Sequence, residues 1–266
     1  MSGYLLGSVI PDTFFYGPGK ALPRISEAFH GKDGSPTNTM IIQVLDAARG
    51  PGDIAFILGY ITHCALDITF HPVIYSLSGN YYDNDPGKRK QAAYRHRHLE
   101  TCLDRDLDNT MRLHGLIRTS HLHGLVFEEI VSRTFQVSIA EIRHSLGRQI
   151  FFNWLFTSRV AYFLAKMAVA AGIVDDPSYL GLFYADAAPG ERFPASVSFA
   201  DPMDGPEKRT SAPELFMQAR ALAGTMMEAA HAYWLDDIDR EGLVQAVPGL
   251  SLDTGRLGVG ASGLRP

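Results

Sequence analysis

The chain has 266 residues, of which 46% are hydrophobic and 20% are charged. This composition is close to ordinary globular usage and excludes a chain that is disordered over most of its length. The formal net charge of −5 and the isoelectric point near 6.0 argue against stable binding of duplex nucleic acid, because such proteins usually carry a basic excess.

The first residues, MSGYLLGSVIPD, lack the basic start and the long apolar run of a complete signal peptide. We therefore expect a cytoplasmic protein from the sequence as written, and a secreted or periplasmic one if the natural chain begins further upstream. Two cysteines, Cys64 and Cys102, are too few for a disulfide scaffold. We interpret both as buried thiols, since free cysteine often packs as a small hydrophobic residue.

Helical patterns follow one another along most of the chain. A helix is predicted over 36–48 with Ser35 as its cap, an apolar helix over 51–79, and a charged helix over 87–110. Further helices are predicted for FEEIVSRTF, SIAEIRHSL, RQIFFNWLFTSRVAYFLAKMAVAAG and SAPELFMQARALAGTMMEAAHAYWLDD. No segment shows the alternation expected of a strand. The predicted fold class is therefore all-α, a multi-helix bundle with the helix over 51–79 at its centre.

The predicted domain organisation is a single helical domain over residues 1–245. Within it, the segment 174–211 is rich in Pro, Gly, Asp and Ser and is interpreted as a surface excursion. Residues 246–266 offer little to bury and are interpreted as a mobile tail. The most apolar windows, 54–75 and 149–174, are interrupted by ionisable residues, so we predict no transmembrane segment.

Three ionisable residues interrupt the central apolar helix at intervals of four. His63, Asp67 and His71 lie in FILGYITHCALDITFHPVIY, and steps of four place them on one face, spread over about 80° around the helix. Burying such groups without partners costs on the order of several kcal/mol, so the fold must supply compensation. A divalent cation bound by these side chains would supply it.

Further potential ligands lie before and after this helix. His96 and Glu100 are four residues apart and share one face of the next helix, whereas His98 lies about 200° from His96. Asp12 and His30 are expected on loops that border the bundle. The candidate ligands, all nitrogen or oxygen donors, are Asp12, His30, His63, Asp67, His71, His96 and Glu100.

These donors are too many for one tetrahedral ion and suit two ions that share a bridging carboxylate. Imidazole favours zinc, while the carboxylates leave room for iron or manganese. Helical bundles commonly form such sites from facing side chains. We therefore predict a buried metal cluster in the bundle. A single buried histidine is more often a hydrogen-bonded core residue, and only the HxxxDxxxH stripe followed by HxxxE favours metal binding.

The elements GSVIPDTFFYG, SEAFH, AFILGYITHCALDITFHP and HRHLE, in this order over residues 3–104, resemble the zinc-dependent phospholipase C family. That family includes the amino-terminal catalytic domain of the glycosylphosphatidylinositol-specific phospholipases, and its fold is related to that of fungal single-strand nucleases. The resemblance implies a helical bundle whose zinc cluster hydrolyses phosphodiester bonds. It also implies a phospholipid or another phosphate ester as the substrate.

Carried over residue by residue, the resemblance implies one zinc ion held by Asp12, His30, His63 and Asp67, and a second held by His71, His96 and Glu100. Asp67 could also reach the second ion. No histidine precedes His30, whereas the family's third metal uses one, so two ions are expected. Asp67 and His71 are also closer in sequence than the matching pair of the secreted phospholipases. Asp12, Asp67 and Glu100 are the predicted catalytic residues, acting with a metal-activated water.

Three further features allow alternative interpretations. Arg95 and Arg97 flank His96 and could bind phosphate, or they could belong to a solvated basic face. The aromatic residues within 151–163 could contact an acyl chain or a lipid surface, or they could pack inside the bundle. His114, His121 and His123 could form a further metal or substrate wall, or they could be ordinary loop histidines.

The predicted function is phospholipase C-like hydrolysis of a phosphodiester bond. One alternative is a di-metal enzyme of another reaction, whether a nuclease, a phosphomonoesterase or an oxidative enzyme. The other is a non-catalytic helical domain in which metal is structural or absent. Metal content and chelator-sensitive hydrolysis distinguish these three hypotheses.

Overall fold

The structure is a computed structural model that describes residues 2–80, 83–108, 112–188, 191–200 and 207–261. Its α-helices are α1 (Ser2–Gly7), α2 (Ile10–Thr13), α3 (Pro23–Phe29), α4 (Asn38–Ala47), α5 (Pro51–Ser78), α6 (Pro86–Asp108), α7 (Leu113–Leu116), α8 (Val126–Phe135), α9 (Ile139–Phe156), α10 (Arg159–Ala170), α11 (Ala212–Trp234) and α12 (Arg240–Ala246). Short 3-10 helices lie at Phe14–Tyr16, Thr119–Leu122 and Pro177–Leu182. Two strands, β1 (Val197–Ala200) and β2 (Glu207–Thr210), pair in antiparallel orientation. The predicted all-α class is confirmed, with this small sheet as an addition.

Helix α5 is the central element of the bundle. It begins with Pro51 in its first turn, where a missing backbone N–H has no cost. The Asp53 carboxylate accepts hydrogen bonds from the backbone N–H of Arg49 and of Val126, both at 2.9 Å, and so joins the starts of α5 and α8. The helix ends at Gly79, whose φ of +95° favours glycine. Along its length α5 packs against α1, α4, α6 and α11.

Two hydrophobic clusters surround α5. The first half of the helix, including Phe56 and Tyr60, lies in the larger cluster, and the second half, including Phe70 and Ile74, lies in the smaller one. Among the described residues, α5 alone is long and apolar enough in composition to cross a membrane. However, 61% of its most apolar window is buried inside the protein, which is typical of a core helix.

Helices α1 and α5 approach each other through two glycines. A Cβ atom at Gly59 would overlap the backbone carbonyl of Tyr4, and one at Gly7 would overlap the backbone carbonyl of Phe56. Only glycine allows such a close approach of two helix backbones. The contact places the carbonyl oxygen of Ser8 beside the polar face of α5.

The helix boundaries differ from the prediction in the second half of the chain. Segments predicted as separate helices on either side of Gly147 form one continuous helix, α9. The break comes later, because the hydroxyl of Ser158 accepts a hydrogen bond from the backbone N–H of Ala161 and caps α10. The interpretation of Cys64 and Cys102 as buried free thiols is confirmed.

Parts of the predicted surface excursion over 174–211 are buried against α6. The hydroxyl of Thr101 donates a 2.8 Å hydrogen bond to the carbonyl of Gly181, and a Cβ at Gly181 would lie 2.7 Å from the carbonyl of Tyr94. Phe183 and Phe193 are both buried. The described part of this segment therefore does not lie wholly on the surface, because it packs closely against α6 at Gly181.

The prediction that the chain after residue 245 has little to bury is wrong for residues 246–261. Leu252 is fully buried, and its backbone N–H donates a 2.9 Å hydrogen bond to the carbonyl of His30. The side chains of Thr37 and Asn38 donate to carbonyls of this segment at 2.7 Å and 2.6 Å. These contacts argue against a mobile tail, and residues 262–266 lie outside the described part of the chain.

Candidate metal centre

The structure brings the predicted ligands into one cluster beside α5. Helix α2, the end of α3, helix α5 and helix α6 each contribute side chains. Two groups of three have donor atoms within 4.8 Å of one another. The first group is Asp12, His30 and His63, and the second is His71, His96 and Glu100.

Asp67 lies between the two groups and faces both. Its Oδ2 atom is 3.0 Å from Nε2 of His63 and 3.5 Å from Nε2 of His30, whereas its Oδ1 atom is 3.9 Å from Nε2 of His71. A carboxylate that bridges two metal ions presents one oxygen to each. The side chain is therefore oriented as a bridging ligand requires.

The separations within each group suit shared ions. Nε2 of His30 lies 3.2 Å from Oδ1 of Asp12, and Oε1 of Glu100 lies 3.3 Å from Nε2 of His71 and 3.1 Å from Nε2 of His96. Two ligands about 2.0–2.1 Å from a tetrahedral zinc ion are about 3.3 Å apart. The donor atoms are thus spaced as zinc ligands are, and the charges on the carboxylates match a divalent cation.

Hydrogen bonds on the far side of two imidazoles fix which nitrogen faces the cluster. Nδ1 of His30 is 2.7 Å from the carbonyl oxygen of Ser26, and Nδ1 of His63 is 3.1 Å from that of Ser8. Because a carbonyl only accepts, each Nδ1 carries a hydrogen, and Nε2 is the atom that faces the cluster and would bind an ion. Nε2 of His63 is buried and lies 3.0 Å from Oδ2 of Asp67. A cation bound by both atoms would satisfy the two side chains at once.

Asp253 is a further carboxylate at this centre and was not among the predicted ligands. Its Oδ1 atom lies 3.7 Å from Nδ1 of His71 and accepts a 3.1 Å hydrogen bond from the Tyr75 hydroxyl. The residue is buried, although it belongs to the segment predicted as a tail. No local pattern marks it, because only the tertiary contacts of Leu252 bring it to α5.

The charges within the cluster perturb its titrations strongly. Burial disfavours the charged imidazolium of His30, but Asp12 and Asp67 outweigh this and hold its pKa well above the ordinary value. The pKa of His71 is raised in the same way, chiefly by Asp67. Burial disfavours the carboxylate of Asp67, yet its histidine neighbours keep its pKa well below the ordinary value. The pKa of Glu100 is also lowered, against burial, by His96. The carboxylates are therefore ionised and able to bind cations.

Comparison with known families identifies the chain. The model of the zinc dependent phospholipase C family matches residues 1–143, which is more than half of the 266 residues. The chain belongs to this zinc-dependent phospholipase C family. A search of curated proteins and a search of solved structures each returned no match. The family match includes all the predicted ligands and ends before Asp253.

The candidate metal centre is open to solvent at two of its carboxylates. The side chains of Asp12 and Glu100 are 43% and 41% exposed, whereas that of Asp67 is 11% exposed. The exposed ring of Phe15 borders the opening, with its centroid 5.5 Å from that of His30. Tyr16 follows it in sequence, and burial together with the charge of Asp12 raises the pKa of its hydroxyl. A substrate can therefore approach the carboxylates of Asp12 and Glu100.

The predicted phosphate-binding arginines lie on α6 and differ in their surroundings. The Arg97 side chain donates a 2.5 Å hydrogen bond to the Ser178 hydroxyl and lies 4.7 Å from the centre of the Tyr179 ring. Arg95 is exposed. Their role in phosphate binding stays a prediction. Three further histidines were considered as a metal or substrate wall, namely His114, His121 and His123. Among the described residues, none of them belongs to either ligand group.

Proposed function

We propose that this protein hydrolyses the phosphodiester bond of a phospholipid, as a phospholipase C with two zinc ions at the centre described above. The observation that carries the proposal is the two-sided placement of Asp67 between two groups of three ligands. The family match supports the same reaction. The proposed ligands remain Asp12, His30, His63, Asp67, His71, His96 and Glu100.

The residues present fit zinc by their chemistry, since they offer imidazole nitrogens and carboxylate oxygens from a largely buried cluster. Zinc ions supply Lewis-acid chemistry when bound, lowering the pKa of a water molecule and stabilising negative charge on phosphate oxygens. The protein's own part is to orient these groups. Hydrogen bonds to Ser26 and Ser8 hold the imidazoles of His30 and His63, and Asp253 faces His71.

Two proton transfers accompany the proposed reaction. The oxygen of water forms a bond to phosphorus, the bond from phosphorus to the glycerol oxygen breaks, and that oxygen leaves as an alcohol. One proton must leave the attacking water, and one must reach the leaving oxygen. We assign both transfers to the partly exposed carboxylates of Asp12 and Glu100, one of which would accept the proton of the water and deliver it to the leaving oxygen. Arg97, which contacts Ser178 in the 3-10 helix Pro177–Leu182, is the proposed phosphate-binding residue.

An exposed apolar surface supports a lipid substrate. We call it the α9–α10 face, and its exposed side chains are Phe151, Trp154, Val160, Phe163, Leu164 and Met167. None of the side chains of α10 is buried in the protein. The alternative interpretation was that the aromatic residues pack inside the bundle. Phe156 does so, but the side chains of the α9–α10 face do not. Large exposed apolar surfaces mark interaction sites, and a helix with apolar and basic residues suits the interface of a bilayer.

The α9–α10 face connects to the opening of the centre. The ring of Phe152 lies 6.0 Å from that of Tyr16, and the Arg148 side chain donates a 2.5 Å hydrogen bond to the Tyr16 carbonyl. Arg159 and Lys166 add positive charge on α10. A protein that rests on anionic lipid through this face would bring the mouth of the centre close to the membrane surface.

The proposal is tested with the purified full chain. We expect bound zinc, hydrolysis of a soluble short-chain phosphatidylcholine, loss of hydrolysis on chelation and its return with added zinc. Asp67→Ala should abolish hydrolysis and reduce the zinc content, whereas Asp237→Asn, a change of an exposed carboxylate, should do neither. Unchanged turnover in Asp67→Ala would refute the assignment.

The same measurements address the alternative functions. Bound iron without hydrolysis would favour a di-metal enzyme of an oxidative type, and cleavage of single-stranded DNA or of phosphomonoesters instead of phospholipid would favour a nuclease or a phosphomonoesterase. Less than one metal ion per chain would favour a non-catalytic helical domain.

A further inference from the structure

A second group of side chains that could hold a metal ion lies on another face of α6. His98 and Cys102 are four residues apart, so they share a face that points away from His96. Glu191 approaches them from the segment that follows the 3-10 helix Pro177–Leu182. A nitrogen of His98, the sulfur of Cys102 and a carboxylate oxygen of Glu191 all lie within 4.8 Å of one another. The proposed phospholipase reaction uses none of these residues.

The separations between the donor atoms agree with a single ion. Nε2 of His98 is 3.0 Å from Oε1 of Glu191 and 3.7 Å from Sγ of Cys102. In a tetrahedral zinc site with bonds of about 2.0 Å to nitrogen and oxygen and about 2.3 Å to sulfur, the matching separations are about 3.3 Å and about 3.5 Å. Only small shifts would be needed for all three to bind one ion.

Asp186 holds the imidazole of His98 in the orientation that a metal ligand needs. Its Oδ2 atom lies 3.0 Å from Nδ1 of His98 and accepts a 2.6 Å hydrogen bond from the Tyr94 hydroxyl, while its Oδ1 atom accepts one at 2.5 Å from the Tyr162 hydroxyl. A carboxylate behind a histidine fixes the hydrogen on Nδ1 and increases the basicity of Nε2. The lone pair of Nε2 then faces the thiol and Glu191.

Hydrogen bonds hold both the backbone and the side chain of Glu191. The Glu191 N–H donates to the carbonyl of Ala188 at 3.0 Å, and its Oε2 atom accepts from the Ala188 N–H at 2.8 Å. The guanidinium of Arg105 donates to the carbonyls of Ala187 and Glu191. These bonds leave Oε1 directed at His98.

This arrangement places carboxylates at both nitrogens of one imidazole. A cation bound by Nε2 of His98, the thiol and Glu191 would account for the position of the second carboxylate. A nucleophilic role for Cys102 does not fit, because the residue is only 2% exposed and burial raises the pKa of its thiol. A mixed set of nitrogen, sulfur and oxygen donors suits zinc.

We propose that His98, Cys102 and Glu191 form a separate zinc site, with Asp186 as the group that orients His98. The ion would join the segment around Glu191 to α6. It would thereby fix the helix that carries His96 and Glu100 into the phospholipase centre. The side chain of Glu191 is 41% exposed, which leaves a path for the ion and a fourth position for solvent.

Cobalt is the probe for this site, because a cobalt ion bound to a thiolate gives a charge-transfer absorption that nitrogen and oxygen ligands do not. Metal-depleted full-length protein is titrated with cobalt and, separately, with zinc. We expect the thiolate absorption in the natural protein, its loss in Cys102→Ser, and its retention in Cys64→Ala, which changes the other buried cysteine. Cys102→Ser should also bind about one equivalent of zinc fewer than the natural protein.

Two further variants keep the test decisive if Cys102→Ser does not fold. Glu191→Gln removes a proposed ligand from the exposed side of the site. Asp186→Asn removes the carboxylate that orients His98 and should weaken cobalt and zinc binding by roughly 10–100-fold, the usual effect of losing a hydrogen-bond partner of a metal ligand. Absence of the thiolate absorption in the natural protein, or equal zinc stoichiometry with and without Cys102, would overturn the proposal.

These outcomes are independent of the phospholipase proposal. Asp67→Ala should lose zinc at the other centre and keep the cobalt–thiolate absorption. A protein that gives this absorption but hydrolyses no phosphodiester would support the separate site and refute the proposed reaction.

Discussion

Replacing Asp253 by asparagine tests whether the carboxyl-terminal segment contributes to the metal centre. The substitution keeps the shape of the side chain and an oxygen that can accept the hydrogen bond from Tyr75, but it removes the negative charge 3.7 Å from Nδ1 of His71. Two full charges about 4 Å apart interact by about 4 kcal/mol at an effective dielectric constant of about 20. A zinc-bound imidazole carries only part of a charge on this nitrogen, so a smaller loss is expected.

Loss of an outer partner of a metal ligand usually lowers metal affinity or activity by about 10–100-fold. This corresponds to about 1.4–2.7 kcal/mol, because each tenfold change is about 1.4 kcal/mol. We expect an effect in this range for Asp253→Asn, measured as zinc affinity by competition with a chromogenic chelator and as kcat/KM on a soluble phosphodiester.

The matched control for this prediction is Asp237→Asn, which removes an exposed carboxylate from the turn after α11. It should leave zinc affinity and kcat/KM at the values of the natural protein. If Asp253→Asn gave the same zinc affinity and turnover as this control, Asp253 would be a neighbour of His71 without a role at the centre.

Three other predictions follow from the fold and the site. Gly59→Ala should destabilise the protein by about 1–3 kcal/mol, because its Cβ would push α1 away from α5, and thermal unfolding measures the change. The pKa values of His30 and His71 are raised in the folded protein, so their charged forms stabilise the metal-free fold at pH values below the unfolded pKa of about 6.5. This stabilisation is lost as the pH rises through the raised pKa values. Added zinc should therefore increase the melting temperature most at high pH. Trp154→Ser combined with Phe163→Ser should lower hydrolysis of phospholipid vesicles by about tenfold or more and leave a short-chain soluble substrate unaffected, since about 3 kcal/mol of apolar contact with lipid is removed.

Each of these predictions has a comparison that could contradict it. For the close approach of α1 and α5, Gly224→Ala is the control, because a Cβ there meets nothing within 4 Å. For the α9–α10 face, Leu257→Ser removes an equally exposed apolar side chain from the carboxyl-terminal segment. Equal loss of vesicle hydrolysis in both variants would argue against lipid contact through α9 and α10. A zinc effect on melting that does not grow with pH would contradict the linkage to the histidines.

The central helix and most of its polar contacts were predictable because they depend on local spacing. Steps of four residues fix the relative directions of His63, Asp67 and His71 before any tertiary contact forms. The same rule separates His96 from His98, and the structure places these two histidines in different groups. The family resemblance then supplied Asp12 and its place in the centre, which helical spacing alone does not give.

Other parts of the structure depend on contacts that no local pattern reveals. Asp253 reaches His71 only because Leu252 and its neighbours bond to the ends of α3 and α4. The segment over 174–211 has a loop-like composition, yet Gly181 allows it to approach the backbone of α6. Short-range rules describe what one segment prefers, and they do not state which distant segment will cover it.

The contribution of Asp253 has a consequence for the order in which the protein matures. During synthesis, all proposed ligands of the metal centre have been added to the chain once Glu100 has left the ribosome. Leu252 and Asp253 are added some 150 residues later. A nascent chain could therefore capture a metal ion early and hold it loosely. The finished environment of His71 forms only after translation has passed Asp253, so late synthesis completes the centre.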